Sequence, residues 1–134
     1  MILGVAHIGI AVPSIETASK QYEFLGFSPM TDEIIAEPDY GVRVLMMKQG
    51  DNCIELLEPL EKGKESPIDT YIASKPYKMY HLAYYVDDID ESIKAFEQKK
   101  YVAINKPRPT HTGFKAVFLF NRTLGIVELL EKKN

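Results

Sequence analysis

Two histidines and two glutamates lie inside stretches that are otherwise apolar, at His7, Glu55, His81 and Glu128. His7 is the only polar residue of "VAHIGIAV", and each glutamate is flanked by aliphatic residues. Burying an imidazole or a carboxylate among aliphatic side chains is costly unless the group finds a partner. Two carboxylates and two neutral imidazoles at one point suit a divalent cation. We therefore predict that these four residues bind one metal ion, provided that the fold brings them together.

An internal repeat relates the four residues in pairs. Residues 5–27 align with 79–101 at a constant offset of 74 residues, and 53–60 align with 126–133 at an offset of 73. The two histidines therefore correspond to each other, and so do the two glutamates. A single histidine on an apolar strand is more often a hydrogen-bonded core residue, and a single in-strand glutamate can face solvent from an edge strand. Four positions that obey one repeat favour a shared metal site.

Each half of the chain predicts the same series of elements, namely one strand, one helix and three further strands. In the first half the strands are predicted at 3–12, 28–36, 42–49 and 52–60, with the helix at 15–25. In the second half they are predicted at 79–87, 101–106, 114–121 and 124–132, with the helix at 89–99. Ser14 and Asp88 occupy the N-cap positions. Gly26 and Lys100 stand where the helices should end, and lysine is the weaker stop signal.

Side chains alternate between the two faces of a strand, which separates the charged residues from the helices. The face that suits packing under the first helix carries Ile8, Ile10 and Val12. His7 lies on the opposite face beside the small Gly9, and His81 has the same relation to the small Ala83. If the two halves pack about a pseudo-twofold axis, the two histidines and the two glutamates converge.

Composition places the chain among small soluble proteins. Its 134 residues are 46% hydrophobic and 26% charged, which is ordinary for a globular domain. The net charge of −3 argues against binding of nucleic acid, because that requires a basic face. No apolar run reaches the roughly 18 residues of a membrane span, and no signal peptide is visible. The single cysteine, Cys53, agrees with a reducing compartment, so we expect a cytoplasmic protein without membrane or nucleic-acid partners.

The repeat also suggests how the chain is organised. We expect residues 1–134 to form a single domain made of module 1–60, linker 61–78 and module 79–134. The linker is polar and contains two prolines. Its "SPIDTYI" segment predicts a short helix with Ser66 as N-cap and a proline at the first helical position.

The motifs in their order resemble a known family. "AHIGIAV", "IELLEPL", "SPI", "YHLAYYVDDI" and "GIVELLEK" are similar to those of the vicinal oxygen chelate (glyoxalase/bleomycin resistance/dioxygenase) superfamily. The nearest likenesses are to methylmalonyl-CoA epimerases and the shorter bacterial glyoxalase I proteins. The resemblance covers nearly the whole chain and implies an α+β fold of two βαβββ modules that form an open, eight-stranded, barrel-like cup. It also implies a homodimer.

The resemblance further implies a ligand set and a chemistry. The four metal ligands of the family fall on His7, Glu55, His81 and Glu128, and the ion would be nickel, cobalt, zinc, manganese or iron. Such a site favours a metal-dependent isomerase, epimerase or lyase that shifts a proton next to the carbonyl of a small carbonyl or thioester substrate. In the family this shift passes through a metal-stabilised enolate or enediolate, and the resemblance implies the same here. Glu128 is our first choice for the catalytic base, and Glu55 is its symmetric counterpart.

Several positions depart from the two nearest subfamilies. Where the epimerases carry an acidic residue before a glycine-valine pair, this chain offers Asp39, with Glu37 two residues earlier. The epimerase-like "FLHPK" is "FLFNR" here, and the glyoxalase-like "VLGM" is "FLGF". Whether Asp39 or Glu37 serves as a second acid or base therefore stays open.

Four further polar residues are lesser candidates for substrate contacts. His111 lies in a loop where the family has a mobile flap, and either a substrate contact or a solvated position suits it. The cationic side chains that could bind a carboxylate or a CoA phosphate, rather than solvent alone, are Arg43, Lys115 and Arg122.

Two other functions are compatible with the same fold. One is a binding protein that sequesters a drug or metabolite, although such proteins usually lack a full ligand set. The other is an Fe(II) dioxygenase, which normally uses two histidines and one carboxylate. A fourth candidate ligand argues against the dioxygenase.

Overall fold

The computed structural model describes residues 1–73 and 79–132, with only the backbone at Met79. The strands of the described residues are β1 (Ile2–Ala11), β2 (Ser28–Pro29), β3 (Ile35–Glu37), β4 (Val42–Gln49), β5 (Asn52–Pro59), β6 (Met79–Val86), β7 (Val102–Ala103), β8 (Arg108–Pro109), β9 (Lys115–Asn121) and β10 (Gly125–Glu131). The helices are α1 (Ile15–Phe24), α2 (Asp69–Ile72) and α3 (Ile89–Gln98), with a 3₁₀ turn at Pro38–Tyr40.

The chain divides into two compact units. The first unit is His7–Tyr80, and the second unit combines Met1–Ala6 with His81–Asn134. Strand β1 therefore contributes its first half to the second unit and its remainder to the first. The prediction that residues 1–134 form a single domain stays a prediction.

The first unit contains a mixed sheet. Strand β1 pairs in parallel with β5, β5 pairs antiparallel with β4, and β4 pairs antiparallel with both β2 and β3. Helix α1 packs on one face of this sheet. The buried core between them contains Val12, Ile15, Leu45, Met47, Ile54 and Leu56.

The second unit repeats this arrangement. Strand β6 pairs in parallel with β10, β10 pairs antiparallel with β9, and β9 pairs antiparallel with β7 and β8. The core under α3 contains Val86, Ile89, Val117, Leu119, Val127 and Leu129. The first residues of β1 lie beside β6, and the ammonium of Met1 donates to Asp87 at 2.9 Å. This hydrogen bond lowers the pKa of the exposed Asp87 carboxyl.

The two long helices start and stop in the same way. The side chain of Ser14 accepts the N–H of Thr17 at 3.2 Å, and that of Asp88 accepts the N–H of Glu91 at 2.9 Å, which confirms both predicted N-caps. Past each helix the chain takes a left-handed conformation, with φ of 98° at Gly26 and 68° at Lys100. The helices end at residues 24 and 98, one residue earlier than predicted.

The sheet face that bears the helix is only partly as predicted. Val12 and Ile10 join the core under α1, but Ile8 is 39% exposed. Within the first unit the core under α1 includes Ile10 but not Ile8.

Two predicted strands are broken. The strand predicted at 28–36 is divided into β2 and β3, and the strand predicted at 101–106 is replaced by β7 and β8. The described part of the chain therefore contains ten strands, where eight were predicted. Backbone pairing with β4 continues one residue beyond Pro29, because the N–H of Met30 donates to the carbonyl of Met46 at 2.8 Å. The chain then forms a loop in which the hydroxyl of Thr31 donates to the carbonyl of Glu33.

The short linker helix also begins later than predicted. The hydroxyl of Ser66 accepts the N–H of Ile68 at 3.3 Å, and α2 starts only at Asp69. Residues 74–78 of the predicted linker lie outside the described residues. Among the residues described, no helix has the length and apolar character to cross a membrane.

Candidate metal centre

In the first unit, adjacent strands bring His7 and Glu55 together. The parallel register of β1 and β5 sets Gly9 opposite Glu55, so the carboxylate and the imidazole two residues away share one face. Nε2 of His7 lies 3.6 Å from Oε1 of Glu55. The two residues are 6% and 8% exposed. Gly9 has no side chain to compete for this space, as the sequence indicates.

In the second unit, His81 and Glu128 form an equivalent pair. Ala83 stands opposite Glu128 in the parallel register of β6 and β10. Nε2 of His81 lies 3.3 Å from Oε1 of Glu128, and the residues are 0% and 4% exposed. The repeat in the sequence is thus reproduced in the register, in the atoms that approach each other and in the burial.

The geometry within each pair fits two ligands of one metal ion. Imidazole nitrogens and carboxylate oxygens lie about 2.0–2.2 Å from a zinc ion, so neighbouring ligands of one ion are about 3.0–3.5 Å apart. The separations of 3.6 and 3.3 Å are close to this range and exceed the usual 2.7–3.2 Å of an N–H···O hydrogen bond. Neutral imidazoles and carboxylates are also the donor types that first-row divalent metals accept.

Each carboxylate has a different neighbour on the adjoining antiparallel strand. Met46 stands opposite Glu55 in the first unit, and Phe118 stands opposite Glu128 in the second. The ring of Phe118 meets that of His81 edge to face, with centroids 5.2 Å apart. The two pairs therefore contain the same residue types but have different neighbours, of which Phe118 is aromatic.

A second pair of glutamates, whose role was not predicted, accepts hydrogen bonds from the N-termini of α1 and α3. Glu58 accepts the N–H of Ile15 at 2.7 Å, and Glu131 accepts the N–H of Ile89 at 3.0 Å. Arg43 also donates to Glu58 at 3.2 Å. The signal is present in the repeated "ELLE", because an odd spacing of three places the second glutamate on the opposite, helix-bearing face of the strand.

The lesser candidates do not join the two His–Glu pairs. Glu37 is half-buried at the end of β3, and Asp39 is exposed in the 3₁₀ turn. His111 is exposed in the loop before β9, Arg122 is exposed in the turn after it, and Lys115 is half-buried at its start. Arg43, a candidate for binding an anionic substrate, pairs with Glu58.

Comparison with known proteins places the chain in a family. A family model described as the glyoxalase/bleomycin resistance protein/dioxygenase superfamily matches residues 6–118. The human mitochondrial methylmalonyl-CoA epimerase is 31% identical over 92% of this chain and 70% of its own length. The uncharacterized protein YqjC of Bacillus subtilis is 34% identical over 95% of this chain and 91% of its own.

Solved structures show the same fold. A methylmalonyl-CoA epimerase in complex with methylmalonyl-CoA and NH₄⁺ superposes with a TM-score of 0.84, at 22% identity, over 98% of this chain and 96% of that one. At this identity the likeness shows the fold alone. It confirms the predicted fold class of two βαβββ modules.

Proposed function

Because the chain belongs to the glyoxalase/bleomycin resistance protein/dioxygenase superfamily, we propose that it is a metal-dependent epimerase acting on a 2-alkylmalonyl-CoA thioester. The observation that carries this proposal is the presence of two buried His–Glu pairs at equivalent positions of the repeat. Relatives named methylmalonyl-CoA epimerase support the thioester substrate. The glyoxalase I reaction is the competing proposal, since it also moves a proton next to a carbonyl.

We infer that His7, Glu55, His81 and Glu128 hold one divalent ion. All four residues are buried, and together they could hold a metal ion. Buried carboxylates are costly without a partner, and a cation would offset that cost for both units. When bound, the ion would supply Lewis-acid polarisation of the substrate carbonyl.

The proton transfer is assigned to the glutamates. Epimerisation at C2 requires removal of a proton from one face of the substrate and its return to the other. We propose that a carboxylate oxygen of Glu128 removes the proton and that Glu55 serves the opposite face. Both carboxylates are almost completely screened from bulk water, which favours retention of the proton near the reacting carbon.

Hydrogen exchange tests the proposal. The protein is loaded in turn with each candidate divalent metal and incubated in D₂O with methylmalonyl-CoA or with the methylglyoxal–thiol adduct. We expect exchange at C2 of methylmalonyl-CoA and its loss, by at least about a hundredfold, in Glu128→Gln. The matched control is Glu131→Gln, three residues further on the same strand, which keeps an acceptor for the helix N-terminus and should retain exchange.

Three results would count against this function. Exchange on the thiol adduct alone would favour the glyoxalase reaction. Full exchange in Glu128→Gln would remove that residue from the proton transfer. Tight binding of either compound without exchange by the metal-loaded protein would favour the sequestering protein that the same fold allows. The cytoplasmic location and the homodimer that the sequence suggests stay predictions.

A further inference from the structure

An exposed apolar strip adjoins Glu128 in the second unit. It consists of Val102, Phe120 and Ile126, which we call the apolar strip. Val102 is 64% exposed and Phe120 is 44% exposed, and Ile126 is half-buried. Large apolar side chains that cluster on a surface mark a binding site more often than isolated ones do.

The strand register puts the apolar strip on the ligand-bearing face. Ile126 lies two residues before Glu128 on β10, so both side chains point to the same side of the sheet. Phe120 stands opposite Ile126, and Val102 stands opposite Phe120. Directly opposed residues of antiparallel strands share a face. The strip therefore crosses β10, β9 and β7, a width of about 10 Å at the usual strand spacing.

Two of the three equivalent positions of the first unit are polar. Cys53 lies two residues before Glu55, Lys48 stands opposite Cys53, and Ser28 stands opposite Lys48. Lys48 and Ser28 are exposed and Cys53 is half-buried, so the exposure matches that of the apolar strip position by position. The fold therefore accepts polar residues at the two exposed positions, Lys48 and Ser28, where the apolar strip carries Phe120 and Val102.

We propose that the apolar strip binds the hydrocarbon chain of an acyl-CoA thioester whose carbonyl lies at the His–Glu pairs. This inference rests on the proposed function and identifies the part of the substrate that the protein recognises. The position of Phe118 between His81 and the apolar strip supports this proposal. Phe118 contacts His81 and lies two residues from Phe120 on β9. The aromatic wall of the His81–Glu128 pair thus continues into the strip, whereas the first unit offers Met46 and then Lys48.

Binding measured without turnover tests this inference. Acetyl-, butanoyl- and hexanoyl-CoA are titrated by calorimetry into the wild type, Phe120→Ser and Phe24→Ser. Phe24 is also an exposed phenylalanine, 86% exposed at the end of α1, and provides the matched control. We expect affinity to rise about twofold to fourfold for each added methylene in the wild type and in Phe24→Ser. In Phe120→Ser this dependence should become nearly flat.

The outcomes separate this inference from the proposed function. If Phe120→Ser keeps the wild-type dependence on chain length, or if the wild type shows none, the inference is wrong. If affinity depends on the length of the acyl chain but no hydrogen exchange occurs at C2, the proposed role of the apolar strip is supported and the proposed epimerase activity is rejected. Val102→Ser is the second variant, in case Phe120→Ser fails to fold, and circular dichroism monitors both. Sedimentation is measured in parallel, because conversion of a dimer to a monomer by Phe120→Ser would assign the strip to an interface between copies instead.

Discussion

At the scale of single residues, the position of a glutamate along a strand decides its role. In each "ELLE" the first glutamate faces the histidine of its unit, and the second faces the N-terminus of a helix. Carboxylates at helix N-termini satisfy free N–H groups and interact favourably with the helix dipole. The same side chain thus contributes either to a candidate reaction site or to stability, according to the face of the strand on which it lies.

The two helix-capping glutamates should differ in their contribution to stability. Glu58 is 7% exposed and bonds both Ile15 and Arg43, whereas Glu131 is half-buried. We expect Glu58→Ala to lower the free energy of unfolding by about 2–3 kcal/mol, because it leaves a buried N–H without its acceptor. Glu131→Ala should lower it by about 1 kcal/mol. Urea denaturation measures both values, and an equal or larger loss in Glu131→Ala would contradict this ranking.

At the scale of elements, both long helices end in the same left-handed turn, but only one of them uses glycine. The N–H of Phe27 donates to the carbonyl of Tyr22 at 2.9 Å, and the N–H of Tyr101 donates to that of Phe96 at 3.2 Å. This is the pattern of a Schellman motif, which favours glycine at the left-handed position. Lys100 takes that position with a Cβ atom that opposes the conformation.

Exchanging the residues at these two turns should have opposite effects. Lys100→Gly should raise the free energy of unfolding by about 1 kcal/mol, because it removes the left-handed strain of a side-chain-bearing residue. Gly26→Ala should lower it by a similar amount, since a new Cβ would also press on Nε2 of Gln49. Thermal unfolding of the two variants checks the signs, and destabilisation by Lys100→Gly would contradict the assignment of strain.

The secondary structure also shows which features of the fold can be predicted from the sequence and which cannot. Hydrophobic periodicity, caps and the repeat were enough to predict the two βαβββ modules, and both N-caps are as expected. The breaks around Pro29 and before Arg108 were not predicted, because edge strands as short as two residues carry almost no periodic signal. The pairing of Arg43 with Glu58 was also missed, since it depends on the register between β4 and β5, which the hydrophobic pattern alone does not give.

At the scale of the whole molecule, the proposed ion would take ligands from both units. The first unit supplies His7 and Glu55, and the second supplies His81 and Glu128. A ligand that binds only the folded chain stabilises it by mass action. Metal occupancy should therefore be visible in the stability of the chain as well as in its activity.

Metal titration provides the corresponding prediction. A free-ion concentration a hundredfold above the dissociation constant should add about 2.7 kcal/mol to the free energy of unfolding, and a chelator should remove this gain. His7→Ala and His81→Ala should each abolish most of it, whereas His111→Ala, an exposed loop variant, should not. Elemental analysis should find one ion per chain. Two ions per chain, or binding retained after loss of one histidine, would contradict a shared site.

Because β1 is divided between the two units, the boundaries of the sequence repeat differ from the boundaries of the two compact units. A fragment starting after the linker would contain a full copy of the repeat, yet it would lack Met1–Ala6, which the second unit takes from the other end of the chain. We therefore expect that neither copy folds alone when the chain is cut at the boundaries of the repeat.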